Sequence, residues 1–132
     1  MLKGSCMCGG VTYEAEGPIA AMARCHCVQC RKASGAEFAT NGNVSTAGFR
    51  VTAGSELLAE YESSPGRARV FCGRCGTPLY KKNASQPDYV RLRLGSVDTE
   101  LGEGPLAHLF VGEKPAWSEI TDGLPQFATW PW

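Results

Sequence analysis

Seven cysteines stand at positions 6, 8, 25, 27, 30, 72 and 75, in three tight clusters with none left over. An odd number cannot all be paired in disulfides, and Met1-Leu2-Lys3-Gly4-Ser5-Cys6 shows no apolar secretion signal. A reducing, cytoplasmic setting is therefore expected, where clustered thiols serve as metal ligands or catalytic groups. At 132 residues and 43% hydrophobic content, one domain spanning 1–132 is expected, with a core that gains from a metal staple. Thirteen basic and thirteen acidic residues give a formal net charge of zero. That excludes a nucleic-acid or membrane-surface binder working by bulk charge. No apolar run approaches the ~20 residues of a membrane-spanning helix.

Short alternating runs separated by Gly, Pro and Ser predict a mostly β chain. The expected strands are Gly10–Ala15, Ala20–Cys25, Glu37–Asn41, Phe49–Thr52, Leu57–Tyr61, Ala68–Phe71, Thr77–Lys81, Tyr89–Gly95 and Ala107–Val111. Tyr89-Val90-Arg91-Leu92-Arg93-Leu94 alternates with period two, as in a strand with one wet face. A turn or two of helix is expected only through Arg31–Ser34.

The cysteine spacings divide into four plus three. Cys72-Gly73-Arg74-Cys75-Gly76 is a zinc knuckle, with glycines that tolerate the positive φ of such a loop. Cys6 and Cys8, taken as an extended segment, point to one side while Met7 points away. Joined, the two pairs make a closed four-thiolate site of structural type. Cys25, Cys27 and Cys30 make a three-thiolate group with one coordination position open, the pattern of a catalytic or ligand-binding zinc. His26 should face away from the sulfurs, and His108 is a candidate to close the site. The other readings are a second structural zinc closed by a histidine, or dithiol redox work.

Three thiolates make zinc a weak activator of water and a good partner for a fourth, soft ligand such as a substrate thiolate. Arg31 and Lys32 follow Cys30 directly and would hold a carboxylate or sit on the surface. Between Arg67 and Arg93 seven basic residues meet only Asp88. These are either solvated strand faces or a basic wall for an anionic small molecule.

GSCMCGGVTYE, CHCVQCRKASGA, FCGRCGTPLY and HLFVGEKPAWSEI followed by LPQF occur in this order. Together they resemble the GFA family, that of the glutathione-dependent formaldehyde-activating enzyme and centromere protein V. The resemblance implies an Mss-four-like fold of several small coiled antiparallel sheets around a structural zinc. It implies two zincs per chain, one on Cys6, Cys8, Cys72 and Cys75 and a second, more labile one on Cys25, Cys27 and Cys30. It implies carbon–sulfur lyase-type chemistry on a glutathione or related thiol adduct of a small carbonyl. Lys114 and Trp117 are further candidates for the substrate pocket, with a surface lysine and a buried tryptophan as the other reading. A zinc module that carries thiols or docks a protein without catalysis is the alternative function. No nucleic-acid or membrane partner is expected.

Overall fold

The computed structural model describes residues 1–131. Its strands are β1 (Leu2–Ser5), β2 (Thr12–Ala15), β3 (Ala20–Cys25), β4 (Ala39–Ser45), β5 (Phe49–Ala53), β6 (Leu58–Ser64), β7 (Arg67–Cys72), β8 (Pro78–Asn83), β9 (Tyr89–Arg93) and β10 (Ala107–Leu109). One helix, α1 (Val28–Ser34), joins β3 to β4. The chain is mostly β and Mss-four-like, as expected, with the strands gathered into two sheets. One has the order β1-β2-β5 and the other β10-β3-β4-β9-β8-β7-β6. Neighbours are antiparallel except β10, which lies parallel to β3. Among the described residues no helix is long and apolar enough to cross a membrane.

Alternation along the strands makes the core. Val44, Val70, Leu79, Val90 and Leu92 are buried in the large sheet and cluster with Val11, Tyr13 and Ala15 around the small one. Tyr13 is the largest side chain there, and its hydroxyl shares a 2.7 Å hydrogen bond with Ser96. Burial pushes that phenol up to about 12, against the opposing effect of the Ser96 bond.

The other face of the large sheet is unusual. Arg69 pairs with Lys81, and Lys81 pairs with Arg91, so three cations stand in line across β7, β8 and β9. Like charges directly opposite one another weaken a sheet. The face continues through Arg93, which pairs with Asn41, to β3 and Cys25. The expected wet face of β9 is therefore a buried basic one: Arg93 is only 8% exposed.

Several boundaries differ from expectation for local reasons. The β1 strand was not foreseen, because Leu2–Ser5 has little alternation. The β4 strand runs on to Ser45 through Gly42, where a Cβ would strike the Ile19 side chain. The helix starts at Val28, three residues before the expected point, because Cys27 caps it: the Cys30 N–H donates to the Cys27 sulfur at 3.3 Å. It stops at Gly35, left-handed at φ 66°.

Gly54 shows how tightly the first cysteine loop is seated. It sits at φ 78°, and a Cβ there would overlap the carbonyl of Gly10, two residues after Cys8. Gly54→Ala therefore adds both backbone strain and a clash with main chain. A loss of about 3 kcal/mol is expected in equilibrium denaturation.

Candidate metal centres and the basic cavity

The first cluster is assembled from two turns. After β1 the chain folds back at once: the Gly9 N–H donates to the Cys6 carbonyl, and the Cys6 N–H to the Val11 carbonyl, both at 3.0 Å. Cys6 and Cys8 thus converge through a turn, not through the extended alternation expected from spacing. Met7 still points outward, 81% exposed. Opposite, Cys72 ends β7, and the Gly76 N–H donates to the Cys72 carbonyl at 2.8 Å to close the knuckle.

The sulfurs of Cys6 and Cys8 are 3.5 Å apart, those of Cys8 and Cys72 are 3.9 Å apart, and all four fall within 4.8 Å of one another. A tetrahedral ion about 2.3 Å from each sulfur would space them by roughly 3.8 Å. Donors already surround the group. The Val11 N–H reaches Cys6 at 3.2 Å and Arg74 Nε reaches Cys8 at 3.3 Å. Hydrogen bonds from Thr77 hold the Cys75 thiol down to about 5, and the Gly10 N–H and Arg74 lower that of Cys8. The four residues can hold a metal ion as thiolates.

The second cluster draws on three neighbouring positions of one segment. Cys25 ends β3, Cys27 caps α1 and Cys30 lies in its first turn, with the three sulfurs within 4.8 Å of one another. Hydrogen bonds from Cys25 and Cys27 hold the Cys30 thiol far below its ordinary range, and Arg93 and Arg69 add to this. The same bonds push Cys25 up. Among the described residues no histidine or carboxylate joins the three sulfurs within that distance. His26 faces away, as expected. His108 does not close the site: its Nδ1 meets His26 Nε2 at 2.8 Å on the far side. This trio can also hold a metal ion, with one side open.

The open side gives onto a cavity of about 230 Å³. Its floor is Cys25, Cys27 and Cys30, its long wall is Arg67, Arg69, Lys81, Arg91 and Arg93, and Phe110 and Trp130 lie across it. Glu113 is the one acid among the lining residues. A second cavity of about 230 Å³ shares Arg67, Lys81, Arg91 and Trp130 and runs on past Asn43 and Tyr89. Part of the wall is braced: Arg93 Nη1 donates to Asn41, and Arg91 Nη1 donates to Asn43 at 2.8 Å. One nitrogen on each of three groups is buried without a hydrogen-bond partner: Arg69 Nη1, Arg91 Nη2 and Arg93 Nη2. Arg24 Nε and Arg31 Nε are also without a partner, away from this wall; what marks the wall is that three such nitrogens belong to residues lining one cavity. Burial and the crowding of cations push Lys81 down, with Arg69 and Arg93 the nearest contributors. Of the two readings of the Arg67–Arg93 stretch, the basic wall is the one the sheet builds.

The four substrate candidates taken from sequence do not reach this cavity. Arg31 donates from Nη2 to the Glu113 carbonyl at 3.3 Å, behind the rim. Lys32 is exposed on α1. Lys114 is folded into its own loop, its Nζ donating to the carbonyls of Ser118 and Pro115. Trp117 is 72% exposed, not buried. The aromatic that does line the cavity is Trp130, beside Phe110 at 5.3 Å between ring centres and 5.9 Å from the Arg91 guanidinium. Phe110 is placed for this by a left-handed φ of 57° at the end of β10.

Comparison with known proteins gives the family and the fold. The family model described as "Glutathione-dependent formaldehyde-activating enzyme" matches residues 1–113. A protein of Halomonas elongata is 34% identical over 91% of this chain and 81% of its own length. One of Podospora anserina is 30% identical over 79% of this chain and 41% of its own length. Both carry the name "Putative glutathione-dependent formaldehyde-activating enzyme". A crystal structure of a Rhodobacter sphaeroides protein superposes with a TM-score of 0.64 at 27% identity, covering 78% of this chain and 97% of that one.

Proposed function

The chain belongs to the GFA family, and we propose that it is a zinc-dependent enzyme of carbon–sulfur lyase type. Its substrate is the adduct of glutathione, or a related anionic thiol, with a small carbonyl compound. The observation that carries this reading is the meeting of an open three-sulfur cluster with a cavity wall of unpartnered guanidinium nitrogens. A thiol that also bears carboxylates matches both.

The donor sets fit zinc, since compact all-sulfur groups at this spacing suit a soft tetrahedral ion. Cys6, Cys8, Cys72 and Cys75 would hold a structural zinc, and Cys25, Cys27 and Cys30 a second one. When bound, zinc at the second site supplies a Lewis acid that favours the thiolate form of a sulfur ligand.

The protein's own groups then do the rest. Arg69, Arg91 and Arg93 donate hydrogen bonds from their free nitrogens to the substrate carboxylates and so fix where its sulfur lies. Phe110 and Trp130 cover the cavity and restrict water. In the condensing direction the substrate sulfur attacks the carbonyl carbon and the carbon–sulfur bond forms. The carbonyl π pair becomes an oxyanion, which takes one proton to give the hydroxyl of the adduct. Lys81 is suited to carry it: burial and neighbouring cations ease its loss of a proton to the oxyanion, and the proton the substrate thiol sheds on becoming a thiolate restores it. The reverse direction breaks the same bond and returns the proton.

The test is exchange of labelled formaldehyde into S-hydroxymethylglutathione, followed by NMR above the uncatalysed rate. Arg91→Ala should raise KM for glutathione about tenfold or more, the worth of a charge-assisted hydrogen bond. KM for the uncharged thiol 2-mercaptoethanol should stay as it was. Tight thiol binding with no turnover of any adduct would instead mark a non-catalytic thiol carrier.

A further inference from the structure

Two imidazoles are buried against each other behind the three-sulfur cluster, on the face that holds no ligand. His26 is 1% exposed and His108 is 2% exposed. His26 Nε2 and His108 Nδ1 are 2.8 Å apart, and His108 Nε2 lies 2.9 Å from both carboxylate oxygens of Asp122. Nothing in the proposed chemistry uses these three groups.

Their bonds run in one order. A carboxylate only accepts, so His108 donates to Asp122 from Nε2. In neutral rings His108 Nδ1 then accepts, and His26 donates to it from Nε2. Both tautomers and both ring orientations are thereby fixed. The outer end is anchored twice more. Arg24 Nη1, from β3, reaches Asp122 at 3.1 Å, and the Leu124 N–H donates to it at 3.0 Å. The inner end is clamped as well. The main-chain N–H of His26 donates to the Leu109 carbonyl at 2.9 Å, and Phe38 packs on the His26 ring at 5.3 Å, while ring Nδ1 is buried without a hydrogen-bond partner.

His26 lies between Cys25 and Cys27. Its main-chain bond to Leu109 holds the peptide that links it to Cys25, and the bond of its ring to His108 anchors the same residue to β10. We propose that Asp122, His108 and His26 form a positioning strut that holds the three-sulfur cluster ready for its metal. The strut acts from outside the ligand set, as hydrogen-bonded supports of metal ligands do. This inference rests on reading the three sulfurs as a metal site. Its partners come from residues 108 and 122, so β10 and the segment after it are a clasp on a site formed some 80 residues earlier.

The test measures zinc affinity at each site by competition with a chelator, with bound ions counted by native mass spectrometry. Asp122→Ala changes a partly exposed side chain and should fold; His108→Leu removes the middle of the strut. Both should weaken the second zinc about ten- to hundredfold and leave the four-sulfur zinc unchanged. In the cobalt-loaded protein the absorption bands of the three-sulfur site should shift. His108→Gln, whose amide can donate to Asp122 and accept from His26, should recover most of the affinity. Equal weakening of both sites, in step with a lower melting temperature, would make the strut an ordinary part of the core and overturn the proposal. So would variants that hold both ions as tightly as wild type. A wild-type chain that never takes a second ion overturns the metal reading itself, and the strut's role with it.

Discussion

Cys72→Ser is expected to leave the chain unfolded at 25 °C, and exhaustive chelation of the wild-type protein should do the same. Cys72 is fully buried at the end of β7, and its cluster ties the first turn of the chain to a knuckle more than 60 residues later. Those four sulfurs meet only in the folded state, so the free energy of binding the proposed structural zinc is free energy of folding. For such sites it amounts to about 10–16 kcal/mol, against a total stability of about 5–15 kcal/mol for a domain. Losing one thiolate at the centre removes more than the rest of the fold can supply. Far-ultraviolet circular dichroism and a thermal melt are the measurements. A melting curve that chelation leaves unmoved would show that packing around Tyr13, Leu79 and Leu92 suffices without metal.

The cysteine clusters were legible because ligand type and spacing are local facts. C-x-C and C-x-x-C place sulfurs together whether the backbone between them is extended, as expected for Cys6 and Cys8, or turned, as found. Strands with clean alternation, such as Tyr89–Arg93, were legible for the same reason. The basic wall was legible only as one of two readings of the Arg67–Arg93 stretch. Arg69, Lys81 and Arg91 are spread over more than 20 residues, and only the register of β7, β8 and β9 lines them up. A neutral total charge hides such a row. Lys114 and Trp117 looked suitable by residue type, but the loop carbonyls that capture Lys114 are set by the path of the chain. Trp130 carried no signal at all, since it meets Phe110 and the cavity only through the path of the chain after β10. His108 could be seen as a candidate ligand but not as the partner of His26, because that pairing needs the parallel alignment of β10 with β3.

Cys30→Ser should separate function from folding. Its sulfur belongs to the three-sulfur group and lines the cavity together with Arg93 and Arg69. Serine keeps the shape, but its hydroxyl does not ionise at neutral pH, so the site loses a thiolate ligand and with it the second zinc. Turnover of the thiol adduct should then fall at least a thousandfold, about 4 kcal/mol of transition-state stabilisation. The fold should survive, because the four-sulfur cluster lies elsewhere and is untouched. Stability should still drop by about 1–3 kcal/mol, since Cys30 is buried and a hydroxyl in its place needs a hydrogen bond that the site does not supply. Native mass spectrometry should therefore find one zinc where wild type has two, in a chain that still melts cooperatively. A Cys30→Ser chain that kept both zincs and full turnover would move the reaction away from the three sulfurs. One that failed to fold would mean that Cys30 and Arg93 are a structural ion pair first, with the cavity built around it.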